Sequence, residues 1–382
     1  MVESTKTYQK YHSFETFYTK INANPEVERH RACKVLERES LYLREPYWQK
    51  ITNKVLKDLS TPEVETTFKI TQNIADETSK LSDEQLPRYF FHRYRYDIFP
   101  QEKLIDEYPP YLQIEPTSLC NYRCVFCYQT DATFTIRDSG HMGTMGFDLF
   151  KEIIDQIEGK IDFLSLASRG EPLLCKEIDR MMEYCAGKFL GLKVNTNASM
   201  LNEKHCHAIL AGGVNTIVFS ADAAEEPLYS QLRVKGNLDK VVSNIKLFER
   251  IKEKHYPKSK IISRVSGVSF IEKQDMESMI GLWGELVDQV TFVAYNPWEN
   301  VYQSPLNTLT TPCSDLWRRM FVWFDGKVNP CDTDYKSTLA VGNIKEKSIS
   351  DLWRSEAYMK LRQRHLEHLR ARISPCQRCV VI

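Results

Sequence analysis

Between Tyr111 and Asn296, six short apolar runs alternate with amphipathic segments, a pattern that restricts the chain to a parallel sheet with its helices outside. The runs are YLQIEP, IDFLSLA, GLKVNTN, VNTIVFSAD, KIISRVSGVSF and DQVTFVAYN. Helices are expected from Phe147, Lys176, Asn202, Asn237 and Gln274, and in the fourth of these Leu238, Val241, Ile245 and Phe248 form one stripe. Parallel strands need crossover connections of one hand, which curls such a series towards a barrel. The expected fold class is therefore α/β, a partial (β/α)6 barrel of the TIM type over residues 109–309.

Two flanking regions read differently. Residues 1–108 are rich in charge and aromatics, with Trp48, Ile51, Val55 and Leu59 on one helical face, and are expected to form a helical N-terminal extension. Within it, the run from Arg88 to Tyr96, RYFFHRYRY, fits a face packed on the barrel better than a phosphate or nucleotide handle. Residues 310–382 form a small C-terminal domain, in which FVWFDGKVNPC reads as a hairpin turning at Asp325 and Gly326. A helix from Ile349 to about His368 and a cysteine-containing tail follow. There is no internal repeat and no low-complexity linker.

Lysine plus arginine equals aspartate plus glutamate at 51 each, so no global field marks a nucleic-acid or membrane binder, and neither partner is expected. The first residues, MVESTKTYQKYHSF, lack an apolar signal segment, and no apolar run reaches the length of a membrane span. A cytoplasmic location is expected. Without an export signal, tight spacings among the eleven cysteines read as metal or cluster ligands before disulfides.

Directly after the first apolar run stands SLCNYRCVFCYQTD, with Cys120, Cys124 and Cys127 spaced CxxxCxxC. Three thiolates on a short loop can hold three irons of a 4Fe-4S cube and leave the fourth open. Zinc with a distant fourth ligand is the alternative for the same residues. The spacing and its place after a first strand resemble the radical S-adenosylmethionine (SAM) superfamily over about residues 111–300. That resemblance implies that SAM chelates the open iron and is cleaved to a 5′-deoxyadenosyl radical, which abstracts hydrogen from substrate. It implies further that Phe126 lies beside adenine, that Gly170 and Pro172 of SRGEPLL shape a turn, and that Glu171 binds the SAM ammonium. In NTNAS, Asn195 and Asn197 would lie near the methionine and ribose, with Ser199 closing the motif. Ser220 would meet the SAM carboxylate, Asp222 would share that strand end, and Arg233 would support the site.

Cys313, Cys331, Cys376 and Cys379 form a second set, C-x17-C-x44-C-x2-C. Four ligands suit either a saturated 4Fe-4S cluster or zinc. With LAVGNI and SISDLW, residues 310–380 resemble the twitch form of the SPASM domain of radical SAM enzymes, and the spacing is similar to that of aminoglycoside-biosynthesis dehydrogenases and epimerases. An auxiliary cluster, suited to electron transfer, is implied. Cys33, Cys185 and Cys206 read as small buried residues. Cys175 follows the GEP loop and is the candidate catalytic thiol on the reactive side of the barrel.

Barrel enzymes place chemistry at the C-terminal strand ends, so substrate contacts are expected from Arg264, which shares a strand face with Ser266, and from Tyr295 and Trp298. The functional expectation is an oxidoreductase that dehydrogenates a carbinol of a sugar, aminocyclitol or nucleotide-sugar. A sugar epimerase and a maturase of a ribosomally made peptide are the alternatives within the class; a non-catalytic metal-binding protein is the alternative outside it. A small-molecule or peptide substrate and an electron donor of the flavodoxin or ferredoxin kind are the expected partners.

Overall fold

The computed structural model describes residues 7–9, 14–40, 45–62 and 65–382. Along the chain its strands are β1 Phe14–Thr19, β2 Tyr111–Ile114, β3 Arg123–Cys124, β4 Phe163–Leu166, β5 Gly191–Thr196, β6 Thr216–Ser220, β7 Arg233–Val234, β8 Ile262–Ser269, β9 Gln289–Ala294, β10 Arg319–Val322, β11 Lys327–Asn329 and β12 Gly342–Asn343. Ten of them form one sheet in the order β1, β9, β8, β6, β5, β4, β2, β10, β11, β12, while β3 and β7 pair separately. The six apolar runs supply β2, β4, β5, β6, β8 and β9, which pair with one another in parallel, as expected.

Alternation along each strand sorts its side chains into two environments. Leu164, Leu166, Leu192, Val194, Ile217 and Phe219 pack outward into the main apolar core under the helices. The opposite face carries Lys193, Asn195, Thr216, Arg264 and Ser266, which line a cavity inside the curled sheet. A closed TIM barrel fills this space with branched aliphatic side chains. Here the lumen is open and lined by both polar and apolar side chains.

Helices over 147–157, 178–184, 203–211, 238–255 and 276–286 cover the crossovers. Asn202 and Asn237 cap two of them, their side chains accepting from the N–H of His205 and Lys240. The helix anticipated from Gln274 begins behind Asp275, whose carboxylate accepts from the N–H of Glu277 and Ser278.

The N-terminal extension contains α1 Pro25–Ser40, α2 Pro46–Ser60, α3 Gln72–Ser79 and α4 Leu86–Glu102. Ile51, Val55 and Leu59 are buried, and Trp48 stacks on Phe91 at 3.7 Å between ring centroids. It is not wholly helical, because β1 adds antiparallel to the edge of β9. FETFYT is rich in strand formers, but its stability comes from a partner some 270 residues away, which no local pattern reveals. Helix α4 shares its core with Tyr111, Phe163 and Leu190, at the N-terminal ends of three barrel strands, so the 88–96 run packs on the barrel as anticipated.

The C-terminal region continues the barrel sheet. β10 lies parallel to β2, pairing Arg319 with Tyr111 and Val322 with Ile114, and the hairpin to β11 turns through Gly326 at φ +86°. The single helix anticipated after Ile349 is two, Ile349–Trp353 and Glu356–Leu366, because the Ser355 side chain caps the second by accepting from the N–H of Tyr358. No helix among the described residues is long and apolar enough to cross a membrane.

Candidate active site

The loop after β2 is clamped by the small β3–β7 ribbon, which sets Cys124 opposite Arg233. Val125 N–H donates to Leu232 O at 3.0 Å, and Cys127 N–H to Cys124 O at 3.0 Å. Cys120, Cys124 and Cys127 thereby border one small cluster with Tyr122, Phe126 and Leu232. The Arg233 guanidinium stands 3.9 Å from Cys124 Sγ and 2.5 Å from Asp222 Oδ2. Asp222, wholly buried, also accepts from Val268 N–H at 2.7 Å; burial pushes its carboxyl up and Arg233 opposes this. A fixed positive charge therefore sits against the thiol set.

The GEP turn abuts the same loop. A Cβ on Gly170 would meet the Thr117 and Leu119 carbonyl oxygens at 2.4 Å, so only glycine permits the approach. The Glu171 carboxylate is 2% exposed and accepts from Thr196 Oγ1 at 2.6 Å, Asn197 N–H at 2.7 Å and Leu173 N–H at 3.1 Å. Burial raises its pKa against those bonds. These oxygens bind the GEP turn to the end of β5. Asn197 Nδ2 donates to Asn121 Oδ1 at 3.0 Å, and Asn121 Nδ2 donates to Ser199 Oγ at 2.8 Å, which joins the cysteine loop to NTNAS. Phe126 packs on Phe270 with 5.5 Å between centroids, and Ser220 ends β6 in register with Ser266.

Sequence reading missed Glu115 and Arg169. Arg169 donates from Nε and Nη2 to the two Glu115 oxygens at 2.7 and 2.6 Å, both side chains being almost fully buried. Its Nη1 donates to Tyr335 O at 2.9 Å, and its guanidinium lies 4.3 Å from the centroid of Trp323. The pair joins β2, the GEP turn and the C-terminal region. Its signal was present, an acid ending the first strand and a base preceding GEP, but nothing local links residues 54 apart.

One expectation is corrected by placement, and two aromatic side chains are placed beside the cysteine loop. Cys175 is 1% exposed within the main apolar core, its Sγ 3.9 Å from Met145 O, so it faces the helix layer and not the strand ends. Trp298 Nε1 donates to Phe126 O at 3.0 Å and packs edge-on against Tyr128, joining the cysteine loop to the segment after β9. Tyr295 donates to Glu299 and stacks edge-on against Phe270. Neither aromatic lines the lumen. Arg264 does, with Lys193, Asn195, Ser266 and Arg319 around a cavity of about 760 Å³. Lys193 was legible from β5 alone, two residues before Asn195 and thus on the same face.

The second cysteine set converges. Cys313, Cys331, Cys376 and Cys379 line one small cavity beside His365 and Arg370. Buried Arg370 donates to the carbonyls of Thr311, Val381 and Cys379 at 2.8 to 2.9 Å. His365 Nδ1 accepts from Cys313 N–H at 3.2 Å, which assigns the proton to Nε2, and Nε2 is buried with no partner in the chain. Burial pushes the His365 pKa down to about 3, so the ring is neutral. Among the described residues no three His, Cys, Asp or Glu side chains meet closely enough for a single metal ion. Four soft donors around one cavity, with an orphaned N–H beside them, fit a larger iron–sulfur group. Three thiols on one loop with a guanidinium against them fit a cluster of the open kind.

Comparison with known proteins agrees. Residues 114–274 match the family model of the Radical SAM superfamily, and residues 313–380 match SPASM, an iron-sulfur cluster-binding domain. The chain is similar to the S-adenosyl-L-methionine-dependent 2-deoxy-scyllo-inosamine dehydrogenase of Niallia circulans, 21% identical over 273 residues that cover 70% of this chain and 91% of that one. It is also 21% identical over 298 residues to the tungsten-containing aldehyde ferredoxin oxidoreductase cofactor-modifying protein of Pyrococcus furiosus, covering 65% and 82%. Streptococcus suis SuiB bound to its precursor peptide SuiA shares the fold, with a TM-score of 0.52, 16% identity and coverage of 87% and 83%.

Proposed function

Because the chain belongs to the radical SAM superfamily and ends in a SPASM iron-sulfur region, we propose that it dehydrogenates a carbinol carbon of a small sugar-like molecule held in the barrel lumen. On this reading Cys120, Cys124 and Cys127 hold the SAM-cleaving cluster, and Cys313, Cys331, Cys376 and Cys379 hold the auxiliary one. Bound there, the clusters and SAM supply hydrogen-atom abstraction and a destination for the electron that oxidation releases. The chain's own residues do the positioning. Glu171, Asn197 and Asn121 lock the GEP turn, β5 and the cysteine loop together, and Arg233 offsets negative charge at Cys124. Ser220 and Phe126 offer the polar and aromatic contacts for SAM, Asp222 holds Arg233 behind them, and Asn195 and Arg264 face substrate below.

The observation that carries dehydrogenation is the convergence of four cysteines on one cavity, a set that would leave a bound cluster no open iron for substrate. An epimerase instead needs a hydrogen donor on the opposite face, and the free thiol nearest in sequence, Cys175, is buried in the core. The similarity to a SAM-dependent dehydrogenase supports the same outcome. An intracellular site and a donor such as flavodoxin or ferredoxin complete the proposal.

The test is anaerobic reconstitution, reduction and addition of SAM, with candidate polyols in deuterium oxide. The proposal expects 5′-deoxyadenosine and a ketone or aldehyde product. A product isobaric with substrate apart from one non-exchangeable deuterium would overturn it.

A further inference from the structure

The lumen carries charge that the proposed reaction leaves unexplained. Its two innermost carboxylates are already committed: Asp97 pairs with Arg93 Nε at 2.8 Å, and Glu77 lies 3.5 Å from Arg93 Nη1 while accepting from Tyr89 OH at 2.5 Å. Of the cations that line it from the barrel strands, two stand without such partners. Arg264 is 7% exposed and is held by neutral groups, donating from Nε to Gln289 Oε1 at 2.8 Å and from Nη2 to Asn73 Oδ1 at 2.5 Å. Lys193 extends from β5 into the cavity. Among the described residues no carboxylate forms an ion pair with either. A third, Arg319, bonds Tyr96 OH at 2.7 Å and shares Asp315 with Arg318. The Asn195 side-chain oxygen is buried there without a partner, free to accept from a ligand hydroxyl.

Two cations that face one cavity without a direct counter-ion make that cavity attractive to an anion. Glu77 and Asp76 act on Lys193 and Arg264 only from a distance, Asp76 through Gln289, so the place of a direct counter-ion is open to a ligand. From these observations we infer that the substrate carries a phosphate group, seated between Lys193 and Arg264, with its sugar-like body extending towards the strand ends. This rests on the reading of the lumen as the substrate chamber. A phosphomonoester carries nearly two negative charges at neutral pH, matching the two cations that lack a direct counter-ion where a single carboxylate would not.

The heights in the sheet agree. Asn195, Val218 and Arg264 are level by register, and Ser220 and Ser266 stand two residues nearer the strand ends, roughly 7 Å higher. A phosphate anchored at Arg264 and Lys193 would set a ring carbon of a hexose near that upper level, where SAM would lie. The cavity, about 760 Å³, is in the range of small-molecule sites and has room for such a molecule.

Inorganic phosphate, glucose 6-phosphate and glucose, titrated calorimetrically into the reconstituted protein without reductant in phosphate-free buffer, test this. Both phosphates should bind and glucose should not. Lys193→Met should weaken phosphate at least about tenfold, and Lys193→Arg, which keeps the charge, should restore it. Absence of phosphate binding, equal binding of glucose and glucose 6-phosphate, or unchanged binding in Lys193→Met would overturn the inference. Cleavage of SAM by the wild-type chain is scored separately. Phosphate binding without 5′-deoxyadenosine formation would remove the enzyme reading alone, and the reverse result would remove this one alone.

Discussion

Replacing Lys193 by methionine should make the protein more stable, although it removes a charged group from the barrel lumen. Burial, reinforced by Arg319 of β10 and Arg264 of β8 against the milder pull of Tyr96 of α4 and Glu77 of α3, brings the ammonium from 10.5 down to about 8. A group whose cationic form the fold disfavours costs stability wherever it is charged in the native state. The penalty is fully present below pH 8 and disappears as pH rises from 8 towards 10.5, where the unfolded chain also loses the proton. Its ceiling at pH 7 is about 3 kcal/mol, and cavity water around the ammonium reduces this to about 1–3 kcal/mol. Methionine keeps the length of the side chain and most of its packing, so little is lost in exchange. For a chain of this size, 2 kcal/mol corresponds to a rise of about 2–3 °C in melting temperature. Thermal unfolding of the reconstituted protein, wild-type against Lys193→Met, at pH 7 and again near pH 10, reads the effect. A gain at pH 7 that fades at the higher pH is expected. No gain, or a gain of the same size at both, would show that packing and not charge governs the site.

Three further outcomes follow from the geometry. Iron analysis should give about eight irons per chain, falling to about four in Cys331→Ala, whose SAM cluster remains; about four irons with stoichiometric zinc in the wild-type chain would defeat the auxiliary assignment. Glu115→Gln leaves the Arg169 guanidinium buried without its carboxylate and should cost about 3–5 kcal/mol, read by thermal unfolding; a loss below 1 kcal/mol would mean that the ring of Trp323 and the Tyr335 carbonyl suffice. His365→Phe removes the only N–H that this ring can offer the four-cysteine cavity and should make the auxiliary cluster harder to reduce, as read by redox titration with EPR detection; an unchanged potential would mean that Nε2 points elsewhere.

The barrel was legible because its signals are local. GLKVNTN and VNTIVFSAD declare themselves as strands by composition, and Asn202 and Asn237 mark helix starts through a hydrogen bond spanning three residues. The cysteine spacings were equally local. What stayed hidden depends on partners distant in sequence. β1 exists only against β9, and Glu115 acquires meaning only from Arg169. Cys175 was misjudged for a related reason: its position after GEP suggested the reactive side, but the chain turns there and buries the thiol beneath Met145. Lys193 is the instructive case, because alternation already placed it beside Asn195, yet its lack of an ion pair emerges only once Glu77 and Asp97 have been traced to Arg93.

The parallel ladder between β2 and β10 bears on how such a chain could have been assembled. Four consecutive residue pairs cross the boundary at residue 310, and every residue of β2 is buried. Cut there, the barrel would not shed an appendage but expose its first strand as a bare, apolar edge open to pairing with other chains. The two cysteine-bearing regions are thus poor candidates for exchange by recombination. Any descendant that loses the tail must find another cover for that strand.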